Sequence, residues 1–351
     1  MNIGCSDRGR RRGRLAKGWA KWGPADGHHG KARPLLRGGP QTPAMGLDGS
    51  VSAMVLESRT GNLETILRGQ ARDVDGFMVS RVLPALTRKR LGPFCFFDHL
   101  GPSDLPVGRG LDVRPHPHIG LATVTYVIEG EIVHRDSLGF EQPIRPGAVN
   151  WMTAGRGITH SERTSSELRQ SGSRLHVAQL WVALPTTHEE MMPEFHHHPA
   201  STLPEVDVGG IRVRVLAGSA YGVTSPVRVF SSLFYAEAEL AAGASFALPE
   251  GYDERGVYVL SGALSHGDQR IEERSLALFH PGGAPCVTAT ELSRVLVLGG
   301  ARLEGERYIE WNFVSSSKER IERAKRDWEA GQFPRVRGDE LEFIPLPAKK
   351  S

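Results

Sequence analysis

A fifteen-residue string, His116-Pro-His-Ile-Gly-Leu-Ala-Thr-Val-Thr-Tyr-Val-Ile-Glu-Gly130, recurs without gaps as Leu248-Pro-Glu-Gly-Tyr-Asp-Glu-Arg-Gly-Val-Tyr-Val-Leu-Ser-Gly262. Pro117/Pro249, Tyr126/Tyr258, Val127/Val259 and Gly130/Gly262 coincide, and further along Ile144–Glu162 aligns with Ile271–Ala289. A period of this kind marks two related structural units. Each is built from short runs rich in Val, Thr, Tyr and Phe, punctuated by Gly and Pro: Phe77–Leu83, Phe94–Phe97, Ala122–Glu129, Ala148–Met152 and Leu175–Ala183, then Ile211–Ala217, Val227–Leu240, Val257–Leu260, Leu276–Phe279 and Val295–Leu298. Strands at this spacing predict an all-β sandwich or barrel. One helix is expected near the end, where Ser316-Ser317-Lys318-Glu319 offers a capping box, Ile321, Ala324 and Trp328 share a face, and Gly331 can close it.

The two copies differ where chemistry would reside. His116, His118, His160 and Glu162 face Leu248, Glu250, Val287 and Ala289. Residues i and i+2 of a strand project from one face, so His116/His118 and His160/Glu162 can each aim both side chains into one cavity. Three imidazoles and a carboxylate suit Fe, Mn, Ni, Cu or Zn, and the loss of all four together predicts one metal-binding unit and one scaffold. Other candidates carry less. His196-His197-His198 reads as an exposed connection, and Asp98-His99 either lines a site or holds a loop. His134 and Asp136 share a face and suit the outer partners that metal-bound imidazoles need. His280 and Cys286 read as structural, and Cys95, between two phenylalanines, as a buried inert thiol.

Charge separates the chain into two parts. Residues 1–50 carry ten Lys or Arg against three Asp or Glu, whereas the remaining 301 carry 33 against 37. The basic segment, with Arg10-Arg-Arg12 and many Gly and Pro, cannot bury enough apolar surface to fold and reads as a disordered extension. An organelle presequence, a nucleic-acid arm, or an overlong start before Met45 or Met54 are its alternatives. The acidic body argues against nucleic-acid binding except through that tail. No apolar run reaches the ~18 residues of a membrane span, no secretory h-region is present, and three distant cysteines (Cys5, Cys95, Cys286) form no disulfide framework. A reducing, cytoplasmic setting is expected.

Gly110-x5-His116-x-His118 is similar to the first motif of cupins, the small metal-binding jelly-roll barrels. Gly92–Pro102, Val113–Gly120, Asn150–Glu162 with its Trp-Met-Thr-Ala-Gly-Arg-Gly string, His196–Pro199 and Trp311–Lys318 together resemble pirin, a two-cupin family, over residues 55–345. The resemblance implies a basic extension at 1–54, a metal-binding cupin at 55–185, a linker at 186–210, and a metal-free cupin with a C-terminal helix at 211–345. It implies iron held by His116, His118, His160 and Glu162. Ala122 stands where most cupins place a carboxylate after the His-x-His pair, a departure pirins share. Two functions follow from the resemblance. One is a quercetinase-type 2,3-dioxygenase acting on flavonols with dioxygen, in which Glu162 accepts the substrate's proton. The other is a metal-dependent regulatory protein that binds a transcriptional or metabolic protein partner.

Overall fold

The computed structural model describes residues 62–74 and 76–348; the basic extension at 1–54 lies outside them. The alternating apolar strands form two sandwiches, each a large antiparallel sheet facing a small one. In the first, the large sheet runs Glu194–His198, Val149–Thr153, Leu121–Glu129, Ser173–Ala183, Phe94–Leu105, Phe77–Leu83, Gln70–Val74. The small sheet runs Asp112–His118, Ile158–Arg163, Ile132–Asp136, Glu141–Ile144. In the second, the large sheet runs Leu63–Arg68, Ser275–Phe279, Glu254–Ser261, Ser293–Gly300, Leu233–Leu240, Ile211–Ala220, Glu205–Val208, with a four-stranded sheet opposite. This is the all-β, two-barrel jelly-roll architecture with a short C-terminal helix that the sequence implies.

Strand alternation gives every large-sheet residue one of two destinations. In the first module Val124, Tyr126, Leu180 and Val182 point outward and meet Leu216, Tyr235, Tyr258, Leu260 and Leu296 of the second, forming one buried core between the two large sheets. Each fully buried aliphatic side chain there contributes about 2 kcal/mol relative to exposure. The inward residues differ between modules. In the second, Leu248, Val287 and Ala289 join Phe246, Val257 and Val259 in an apolar interior, so three of the four positions aligned with the candidate ligands serve packing.

The structure departs from the sequence reading in three places. Leu63–Arg68 pairs with Ser275–Phe279 and so extends the second module's sheet, although it precedes the first in sequence. Glu194–His198, read as part of an exposed connection, is an edge strand paired with Val149–Thr153, and His197 turns inward to Asn150 Oδ1 at 2.6 Å. The run from Val227 begins its strand only at Leu233, after the Ser231-Ser232 bend. The C-terminal helix spans Lys318–Glu329, capped by Ser317, whose hydroxyl accepts from the Arg320 amide at 3.1 Å. It buries Ile321 and Ala324 against Ile119 and Phe313.

Candidate metal centre

Strands Asp112–His118 and Ile158–Arg163 run antiparallel with His116 opposite His160 and His118 opposite Ile158. Their inward faces bring His116, His118 and His160 together, one ring nitrogen from each lying within 4.8 Å of the other two. A register shift follows His160, so Glu162 stands opposite Val113. Glu162 lines the same cavity, yet its carboxylate is outside that tight group of nitrogens.

The partners of the rings fix where their protons sit. His116 Nδ1 lies 2.8 Å from the Arg114 carbonyl oxygen and His118 Nδ1 3.0 Å from that of Asn312. A carbonyl only accepts, so each Nδ1 holds a proton, which leaves Nε2 as the nitrogen able to offer a lone pair. His134 Nε2 lies 3.0 Å from Asp136 Oδ2, while Asp136 Oδ1 accepts from the Leu138 and Phe140 amides at 2.8 and 3.2 Å. His134 therefore donates through Nε2 and presents Nδ1 as acceptor to His160 Nδ1, 3.5 Å away. His160 Nε2 is then a third lone-pair nitrogen. Burial drives His118 and His160 well below the ordinary imidazole range, which keeps both neutral. Three imidazoles converging in a buried space, with His118 and His160 held neutral, fit a first-row transition metal, and the donor set fits the group that the sequence resemblance implies.

Glu162 is buried, and desolvation pushes its carboxyl above the usual range against the opposing pull of His134 and Thr125. Thr125 Oγ1 is 3.0 Å from Glu162 Oε1 and 2.8 Å from Gln179 Oε1. One hydroxyl carries one proton, so Glu162 Oε1 and Gln179 Oε1 compete for the proton that Thr125 donates. The cavity around these groups has a volume of about 400 Å³ and is walled by Phe96, Trp181, Trp311 and Ile344. Trp181 stacks on Phe96 with centroids 4.0 Å apart and meets His118 edge-on at 5.0 Å.

The remaining candidates fall where strand alternation sends them. Asp98 faces this cavity and its neighbour His99 the opposite way, where His99 Nδ1 meets Tyr258 Oη at 2.8 Å. His134 stacks on Phe195 at 4.3 Å. The Cys95 thiol is buried, donates to the Trp181 carbonyl oxygen, and is pushed up to about 12 by desolvation, which makes it inert. His280 is exposed and Cys286 half-buried, both in the second module and away from the histidine cluster. Sequence reading overlooked Asn312, Arg81, Thr125 and Gln179. Asn312 acts through its backbone, which no side-chain pattern reveals, and the other three align with the site only through strand register.

Comparison with known proteins agrees with this architecture. The pirin family profile matches residues 76–182, and that of the pirin C-terminal cupin domain residues 235–334. A pirin-like protein of Caulobacter vibrioides is 48% identical over 288 residues, covering 81% of this chain and 99% of its own. A Pseudomonas aeruginosa protein provisionally named quercetin 2,3-dioxygenase is 40% identical over 281 residues, covering 78% of this chain and 87% of its own. The crystal structure of a quercetin 2,3-dioxygenase from Acinetobacter baumannii superposes with a TM-score of 0.77 at 32% identity, covering 84% of this chain and 97% of that one. With both modules matched and near-complete coverage of a relative at 48% identity, the chain belongs to the pirin family.

Proposed function

We propose that the protein is an iron-dependent quercetinase-type 2,3-dioxygenase, with His116, His118 and His160 holding the metal and Glu162 as both fourth donor and proton acceptor. The observation that carries this reading is the convergence of three imidazole nitrogens beside a buried carboxyl group in an aromatic-walled cavity. The names of similar proteins from Pseudomonas aeruginosa and Acinetobacter baumannii support the choice of flavonol and dioxygen as substrates.

When bound, the metal supplies a Lewis acid that lowers the pKa of a flavonol 3-hydroxyl and an open position for dioxygen. The protein's own groups do the rest. Trp181, Trp311 and Ile344 offer apolar surface against which the fused rings pack and from which water is excluded. Glu162 takes the hydroxyl proton on Oε2, the oxygen not engaged by Thr125, and its raised affinity for a proton suits that task. His134 and Asp136 keep the His160 lone pair aimed at the cavity throughout. The overall conversion is oxidative ring opening with loss of carbon monoxide. A cytoplasmic setting agrees with the free, buried thiol of Cys95.

The test is aerobic incubation of the purified chain with quercetin, monitoring flavonol and dioxygen consumption beside metal content. Turnover by the iron-loaded protein, lost together with the metal in His160→Ala, is the expected result. Absence of flavonol loss with iron, nickel, manganese, copper and zinc alike rejects the reading.

A further inference from the structure

The floor of the cavity carries two parallel rows set by strand register. Arg81, Asp98, Gln179 and Thr125 are cross-strand neighbours in a line over four adjacent strands. Phe96 and Trp181 are paired in the next row. The polar row ends at Thr125 beneath Glu162, next to the histidines. Its other end, Arg81, lies three strand spacings away, about 14 Å.

Arg81 is held there unusually firmly. Its Nε donates to Asp98 Oδ1 at 2.8 Å and its Nη2 to Asp98 Oδ2 at 2.6 Å, a two-pronged pair with Asp98 nearly buried. The guanidinium lies over the Phe96 ring at 4.5 Å. Nη1 has no hydrogen-bond partner among the described residues and is not among the buried orphaned atoms. A fixed cationic fork thus presents one donor edge at the end of the cavity remote from the histidines.

We infer that Arg81 is a specificity-determining residue, whose Nη1 donates to a hydroxyl or carboxylate oxygen on the far ring of a flat aromatic substrate anchored at its other end by the histidine cluster. The inference rests on the flavonol reading above and adds to it a preference for polyhydroxylated over unsubstituted ring systems. Asp98 positions the fork and Phe96 supports it from below.

Calorimetric titration of the metal-loaded full chain under anaerobic conditions, with quercetin and with 3-hydroxyflavone, tests this. The second ligand keeps the 3-hydroxyl and lacks the hydroxyls on the outer rings. Wild type is expected to bind quercetin about tenfold more tightly, the range of one hydrogen bond from a charged donor. Arg81→Met should erase that ratio while leaving 3-hydroxyflavone affinity within about twofold. Arg81→Lys, which keeps the charge and loses the planar fork, should retain part of it, and decides the matter if the Met variant fails to fold. An unchanged ratio in the folded variants overturns the inference, as does an equal loss for both ligands. Failure of both flavonols to bind wild type instead rejects the flavonol reading itself, and the inference with it.

Discussion

The Nε2 atoms of His118 and His160 stand 3.1 Å apart in a buried site, each on a ring whose other nitrogen holds the proton. Two lone pairs at that distance repel unless a cation lies between them, so the folded chain is poised for a metal and weakened by its removal. A ligand present at 100 times its Kd stabilises the folded state by about 2.7 kcal/mol. Chelation should therefore lower the melting temperature of wild type by several degrees. In His160→Ala the chelator should change nothing. Differential scanning calorimetry with and without EDTA checks both.

Asp136→Asn separates the outer partner from the fold. Asparagine keeps an oxygen for the Leu138 and Phe140 amides, which the Asp136 Oδ1 now accepts. Its amide nitrogen instead donates to His134 Nε2, forcing the His134 proton onto Nδ1, where it faces His160 Nδ1. The His160 lone pair is no longer fixed on the cavity side. Metal affinity should fall about 10–100-fold with little change in melting temperature of the apo form, as read by chelator competition and scanning calorimetry.

The three histidines were legible because strand periodicity is a local property: i, i+2 spacing fixes a shared face before any tertiary structure is known. The repeat added what spacing could not, since Leu248, Val287 and Ala289 put packing residues where the first module has its candidate ligands. What stayed hidden depends on register between distant strands. Nothing near Arg81 in sequence predicts Asp98 as its partner, and the Glu194–His198 strand owes its order to pairing with Val149–Thr153 despite a polar composition. Asn312 reaches His118 through a carbonyl, 194 residues along the chain.

Gly120 joins the metal strand to the second module's C-terminal hairpin. Its φ is +66°, and a Cβ there would lie 2.0 Å from the Val314 carbonyl oxygen. The adjacent Ile119 pairs with Phe313, which seats the Asn312 carbonyl against His118. Gly120→Ala should cost about 3 kcal/mol or more and reduce metal content, because the hairpin must move. Gly139→Ala is the control: its φ is also positive, at +94°, but nothing lies within 4 Å of the added carbon. That change should cost about 1–3 kcal/mol from backbone strain alone and leave metal content intact.

His99 and His176 meet at 2.5 Å through their Nε2 atoms beneath the second module's Tyr258, with His99 Nδ1 on the Tyr258 hydroxyl. Burial pushes His99 down to about 3 and His176 down to about 4, helped by Arg274 near both. In the unfolded chain each returns to the ordinary imidazole value of about 6.5. Below that value the unfolded state takes up protons that the folded state refuses, so stability present above about pH 6.5 is lost as pH falls toward 4. Each such group contributes a slope of about 1.4 kcal/mol per pH unit where it is charged only when unfolded. His176→Gln removes one titrating ring while its amide can still meet His99. Urea unfolding at intervals from pH 7 to 4.5 should show the stability of wild type falling more steeply than that of the variant, by about 1 kcal/mol per pH unit below pH 6. Parallel curves would show that the buried pair takes up protons as readily in the folded chain as in the unfolded one.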